Sequence, residues 1–363
     1  MVGHFALVAT FAAALAAQEK VPTPVTTPGG PARERAAALL QELAVPERCL
    51  DAARELCALG PAVLPGLHKM LVDPRPEVVQ RALFVASGLS GDVESLRMPI
   101  RRCLEHKDPG IALAARAAWQ ALDGGGSTLV TDYQAGKVVR LIGDEVRDLL
   151  SDIPMAMSVD PLTDGSLLVA AYGQGRIVEF DTKGQEVWEF QGLQHPSDIV
   201  RLPNGNTLVA DSGNLRVIEI NREKDEVWSY ATDVRPIDVD RLGNGNTLIA
   251  SYEASGVIEV DPAGKVVWQW RADNVRDADR LLDGTTLLTD TSGRCVLRVD
   301  AQHRTLRRWP IDFACNDAEL LPNGHLVVGG SGAVVEFDHA GQEVWRTKVG
   351  YVGHLARHGV ARR

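Results

Sequence analysis

The stretch LPNGNTLVADSGNLRVIEI, residues 202–220, holds a tight turn, a strand, a second turn and another strand. Its turn glycine, Gly205, is one of a series: Gly126, Gly165, Gly205, Gly245, Gly284 and Gly324, spaced 39, 40, 40, 39 and 40 apart. After each glycine comes a short apolar strand: STLVTD at 127, SLLVAA at 166, NTLVAD at 206, NTLIAS at 246, TTLLTD at 285 and HLVVGG at 325. A second strand follows (VVRL, IVEF, VIEI, VIEV, VLRV, VVEF), and then a third carrying Trp188, Trp228, Trp268, Trp309 or Trp345. A period near 40 residues with short strands at regular intervals is the pattern of radially repeated blades, a β-propeller. A recurrent Trp is most simply inter-blade packing.

One strand precedes each turn: SVDPL at 158, DIVRL at 198, DVDRL at 238, DADRL at 277 and DAELL at 317. Nothing of the kind precedes Gly126, where a Gly124-Gly125-Gly126 linker stands. The missing strand is found at the far end, His354–His358, which aligns with Asp277–Leu281. The expectation is therefore a six-bladed propeller over residues 123–363, closed by its own C-terminal strand so that no sheet edge is left open.

The first third of the chain reads differently. Phe5 to Ala17 is one apolar run ending in an Ala14-Leu15-Ala16 cleavage pattern, too short to span a bilayer. It reads as a signal peptide, residues 1–17, although no Lys or Arg precedes Lys20. Residues 18–31 are a Pro/Gly-rich linker. From 32 to 122 apolar residues recur at three and four, with breakers at Gly60-Pro61, Asp73-Pro74, Gly91-Asp92 and Asp108-Pro109. Asp73-Pro74 with Gln80-Arg81-Ala82 is echoed 35 residues on by Asp108-Pro109 with Ala115-Arg116-Ala117. Helix pairs of this length, with Asp-Pro in the turn and Arg-Ala in the next helix, resemble HEAT repeats, stacked because one pair cannot bury its own apolar face. The fold class expected is thus multidomain: a short α-helical HEAT-like domain followed by an all-β propeller.

The run at 202–220 also resembles an NHL-type propeller repeat. DVDRLGNGNTLIAS and DADRLLDGTTLLTD resemble the bacterial arylsulfotransferase-like and pyrroloquinoline-quinone-type propellers. The resemblance covers residues 126–363 and implies the architecture more than an activity. Arylsulfotransferases of this group use a histidine near the channel; His195 and His354 are the histidines placed near blade starts here. The adjacent cysteine pair that some quinoproteins use is absent.

A net charge of −10 argues against a nucleic-acid partner. Aromatic residues make up only 5% of the chain, so Val, Leu, Ile and Ala must fill the core. The cysteines are Cys49, Cys57, Cys103, Cys295 and Cys315, an odd number without C-x-x-C. Cys49 and Cys57, eight apart on a helix, are separated by about 12 Å along its axis, too far for a disulfide.

The position seven residues before each turn glycine holds Ser158, Asp198, Asp238, Asp277 and Asp317, with His354 as the counterpart in the closing strand. Two residues on stand Asp160, Val200, Asp240, Asp279, Glu319 and Ala356, on the same strand face. First strands surround a propeller's channel, so this face is an acidic lining. Carboxylates ~8 Å apart at an effective dielectric of ~20 repel by roughly 2 kcal/mol per pair. Three things could offset that: a hard cation such as Ca²⁺ held by Asp198, Asp238, Asp277 and Asp317; arginines, of which Arg201, Arg241, Arg280 and Arg357 recur three residues later; or backbone amides. Ser158, His195 and His354 are further channel-lining candidates. Asp132, Asp211 and Asp290, ending strands before turns, read as turn caps. There is no phosphate loop, nucleophile elbow or H-E-x-x-H. The expected function is an exported (periplasmic or extracellular) scaffold that binds a protein or small-molecule ligand, without a membrane span. The alternative is a propeller enzyme, hydrolase- or lactonase-like or sulfotransferase-like, with its site in the acidic channel and a divalent cation as its cofactor.

Overall fold

The computed structural model describes residues 30–252 and 256–358; the signal segment 1–17 and nearly all of the linker 18–31 lie outside the described residues. Six helices come first: α1 (Pro31–Leu43), α2 (Cys49–Leu59), α3 (Leu64–Met70), α4 (Pro76–Ser87), α5 (Arg97–Leu104) and α6 (Pro109–Gly124). Their apolar stripes meet in one core, with Leu39, Leu43, Leu56, Leu67, Leu83, Leu96 and Ile100 fully buried. The two Asp-Pro turns do different work. Asp108 caps α6 by accepting the Ile111 amide at 3.0 Å, whereas Asp73 pairs with the exposed Arg75 side chain. All five cysteines are buried and free; burial pushes Cys57 and Cys315 up to about 12, which keeps them as unreactive thiols.

The strands that follow form a β-propeller of five hydrogen-bonded sheets, not the six separate sheets expected. Four sheets have four antiparallel strands in meander order; the fifth has six. The cause is strand continuity. Strand Leu326–Phe337 runs through Gly332 (φ +91°) without leaving the sheet. Strand Glu343–His358 then pairs with it over its first part (Glu336 opposite Trp345) and with Ser127–Asp132 over its second (Leu129 opposite Ala356). The expected closure is thereby made: the Gly126 amide donates to the His358 carbonyl at 2.8 Å, and Val352 and Leu355 are buried in the seam.

Neighbouring repeats are latched by a Glu–Arg–Trp group. Arg241, ending one inner strand, pairs with Glu219 of the preceding repeat at 2.8 Å. It lies 4.8 Å over the Trp228 ring of that repeat and donates to the carbonyl of its own turn glycine, Gly245, at 3.2 Å. Arg201 repeats this with Glu179, Trp188 and Gly205, and Arg280 with Glu259, Trp268 and Gly284. Arg357 pairs with Glu336 across the closing seam. The sequence drops the latch as a unit at the two remaining steps. Where Arg140 and Arg298 replace the Glu, the facing Trp positions hold Arg147 and Arg307, and the next inner strands end in Pro161 and Leu320 instead of Arg. Trp309 therefore does not share the place of the other tryptophans: it sits two residues further on and is buried against Val296.

Removing one partner of a buried pair strands the other charge, at a cost of about 3 kcal/mol. Glu219→Leu and Arg241→Leu should each lower the melting temperature sharply. The double replacement should recover a substantial part of the loss, as the natural Arg298/Leu320 step does without a latch. Additive losses in a double-mutant cycle would show that the pair is not coupled.

Candidate functional site: the axial channel and its two ends

The inner strands Ala156–Pro161, Pro196–Arg201, Pro236–Arg241, Val275–Arg280, Cys315–Leu320 and the end of Glu343–His358 surround the axis. Their alternation buries Val159, Ile199, Val239, Ala278, Ala318 and Leu355 between the sheets and turns the polar set inward. Ser158, Asp198, Asp238, Asp277, Asp317 and His354 are brought together in one ring, as the repeat spacing predicts. The ring's carboxylates bind the next strand rather than each other. Asp198 accepts the Val239 amide at 3.2 Å, Asp238 that of Ala278 at 3.1 Å, Asp277 that of Ala318 at 3.0 Å and Asp317 that of Leu355 at 2.8 Å. Ser158 donates to Asp198 at 2.7 Å. One layer on, Asp160 accepts the Arg201 amide and Glu319 that of Arg357. Of the three possible offsets, backbone amides act on the ring itself. The four arginines are spent on the inter-repeat glutamates. Among the described residues no group of three or more His, Cys, Asp or Glu is arranged to hold a metal ion.

Burial, reinforced by neighbouring carboxylates, raises Asp238, Asp277 and Asp279 well above their ordinary range and lifts Asp240 to about 7. Burial also lifts Glu319 to about 7. Burial alone would lower His354, but Asp317, Asp198, Asp160 and Glu319 outweigh it and raise the imidazole. Its Nε2 stands 3.7 Å from Asp317, and its Nδ1 is buried without a partner.

The channel has three parts. The ring forms a neck of about 10 Å³, shared with Met157, Ile237 and Arg276, which is room for about one water. On one side lies an acidic chamber of about 250 Å³, lined by Asp160, Asp240, Asp279 and Glu319 and covered by Ala117 and Gln120 of α6. The repeated arginines of the helical region anchor it there. Arg116 donates to the Arg201 carbonyl at 2.6 Å and meets Asp160 at 3.2 Å, while Arg81 reaches the Leu282 carbonyl at 3.4 Å. Gln120 donates to the Pro161 carbonyl. Contact is so close that a Cβ on Gly110 would lie 3.1 Å from the Gly243 Cα. On the other side of the neck the propeller opens in a cleft of about 310 Å³ lined by tyrosines.

Two comparisons bear on this architecture. The family described as outer membrane protein assembly factor BamB (PQQ_2) matches residues 116–319. The chain belongs to that family. No curated protein matches it. Among solved structures, this BamB-family chain is similar to a protein of unknown function from Bacteroides caccae (TM-score 0.56, 19% identity, 64% of this chain and 99% of that one). It is also similar to a chain of a nidogen/laminin complex (TM-score 0.55, 12% identity, 66% and 100%). At such identities the likeness is one of fold. No described helix is long and apolar enough to cross a membrane.

The other sequence candidates fall outside the ring. His195, with φ +55°, stacks on Tyr172 at 4.6 Å at the open rim. Asp132 and Asp290 each cap the turn three residues on, through Ala135 and Gly293; Asp211 accepts the Gln194 amide at 2.7 Å. Sequence reasoning missed the open cleft, although a signal was present. The residue just after the strand that follows each turn glycine is Tyr133, Tyr172 and Tyr252 in three repeats and Ser212, Thr291 and Ser331 in the others.

A carboxyl raised in the folded state binds more protons folded than unfolded, so stability falls as pH rises. For Asp240 and Glu319 the loss runs from about 4 to about 7, and Asp238, Asp277 and Asp279, raised well above the usual carboxylate range, add to it. A raised His354 adds stability at low pH that is likewise lost on the way up. The melting temperature should therefore decline steadily from pH 5 to 8, and Asp240→Asn with Asp279→Asn should flatten that decline. A melting temperature that rises over this interval would contradict the buried-carboxyl account. A cation held by Asp198, Asp238, Asp277 and Asp317 would make added Ca²⁺ stabilise more at pH 8 than at pH 5.

Proposed function

We propose that this chain is an exported, non-catalytic binding scaffold of the BamB family, acting in the periplasm or outside the cell. Its binding face is the open end of the propeller. The observation that carries this reading is the division of the two faces: the helical region covers one end of the axis, and among the described residues no helix covers the other. In this reading the propeller counts six radial units, two of them merged in the six-stranded sheet. The helices act as a HEAT-like cap that closes the channel and fixes the orientation of the open face. The family's description as an outer membrane protein assembly factor supports this reading, and so does the apolar run at 5–17 with its A-x-A pattern. An enzyme centred on the acidic chamber would need substrate to pass a neck with room for about one water, or to enter beneath α6. Two of the chamber's acids, Asp160 and Glu319, are engaged with strand amides, which favours binding over catalysis.

Export predicts a mature chain beginning near Ala17 or Gln18, read by N-terminal sequencing of protein from its native host; retention of Met1 would exclude it. For the binding face, a photo-crosslinking residue placed at Gln134 on the open rim should give discrete adducts in living cells. One at Val72 or Met98, exposed on the helical region, should give none. The reverse pattern would move the binding face to the helices.

A further inference from the structure

The chain has only five tyrosines, and four of them, Tyr133, Tyr172, Tyr252 and Tyr351, line the open cleft together with Arg235 and Arg276. In a chain this poor in aromatics the concentration is a built feature. Tyr133 stands edge-on to Tyr172 (ring centroids 6.0 Å apart) and tilted against Tyr351 (5.6 Å), while His195 backs Tyr172. The rings come from different repeats, fixed by backbone pairing such as the Tyr133 amide to the Tyr351 carbonyl at 2.8 Å. Arg276 forms part of the floor. Its guanidinium lies 4.5 Å over the Tyr252 ring, and its Nε is buried without a hydrogen-bond partner.

We propose that this cleft binds a small aromatic carboxylate. Tyrosine walls offer stacking faces and hydroxyls to a flat ring. A cationic ligand would meet two arginines. A neutral ligand without an acceptor oxygen would leave the guanidinium of Arg276 unmatched, and a neutral one with such an oxygen would offer it only a weaker, uncharged hydrogen bond. A carboxylate supplies the planar acceptor that a guanidinium matches. About 310 Å³ suits a ligand of small-molecule size, and the neck below keeps it out of the acidic chamber.

This inference rests on the open face being the binding face, and the test separates the two. Benzoate, benzamide, acetate and phenyl phosphate are titrated into the full-length mature protein by calorimetry, with saturation-transfer NMR for the weak binders. Benzoate should bind at least tenfold more tightly than either benzamide, which lacks the charge, or acetate, which lacks the ring. Phenyl phosphate preferred over benzoate would replace the carboxylate by a phosphate. Arg276→Gln should abolish the preference for benzoate over benzamide, and Tyr133→Ala the preference for benzoate over acetate. Arg235→Gln, at the exposed rim, gives a second reading of charge selectivity if Arg276→Gln does not fold. Equal affinity for benzoate and benzamide, or selectivity intact in both arginine variants, would overturn the proposal. Crosslinks from the open face without benzoate selectivity would end this proposal alone. Benzoate selectivity without crosslinks would keep it and count against a macromolecular partner.

Discussion

A carboxylate on one inner strand accepts the amide proton of the next strand around the axis, and most of the molecule's character follows from that contact. The innermost strand of a sheet is an edge strand, so its axis-facing amides have no partner within the sheet and need acceptors from outside it. Asp198, Asp238, Asp277 and Asp317 supply them in turn. The price is an acidic hub. Carboxylates held close together in a buried place cannot all stay ionised, which is why Asp238, Asp277 and Asp279 rise so far. The same contact draws the inner strands in until the neck has room for about one water.

The outer parts of the repeats are joined by a different device. Each Glu–Arg–Trp latch spans two repeats, with the arginine also holding its own turn by the glycine carbonyl. Because three partners depend on one guanidinium, the elements are gained or lost together. The two unlatched steps show this within a single chain: arginine in place of glutamate, arginine in place of tryptophan, and no arginine on the next inner strand. On the Pro161 side of one of these steps α6 places Gln120 on the Pro161 carbonyl and Arg116 against Asp160. The helical region is also fastened to latched strands, through Arg116 at the Arg201 carbonyl and Arg81 at the Leu282 carbonyl, and it covers the acidic chamber. Chemistry with the outside is left to the opposite mouth, where the carboxylates give way to tyrosines and arginines.

The sequence by itself determined the period, the strand order, the closing strand and the inward-facing ring. These depend on local alternation and on a repeat that is exact enough to count, and each repeat pairs mainly with itself. It also contained the latch, as glutamate, tryptophan and arginine at fixed offsets, although only the tryptophans and arginines stood out. What it could not decide was partnership across repeats. Arg201, Arg241, Arg280 and Arg357 lie as near in sequence to the ring acids as to anything, yet they pair with glutamates about 21 or 22 residues earlier, because strand geometry carries the end of an inner strand outward to the neighbour's glutamate-bearing strand. The merging of the last and first repeats into one six-stranded sheet depended on two long strands crossing boundaries that the turn count treats as breaks. The tyrosine mouth was decided by the tertiary structure as well: Tyr133, Tyr172, Tyr252 and Tyr351 are spread over more than two hundred residues, and only the closing of the ring sets their side chains around one axis.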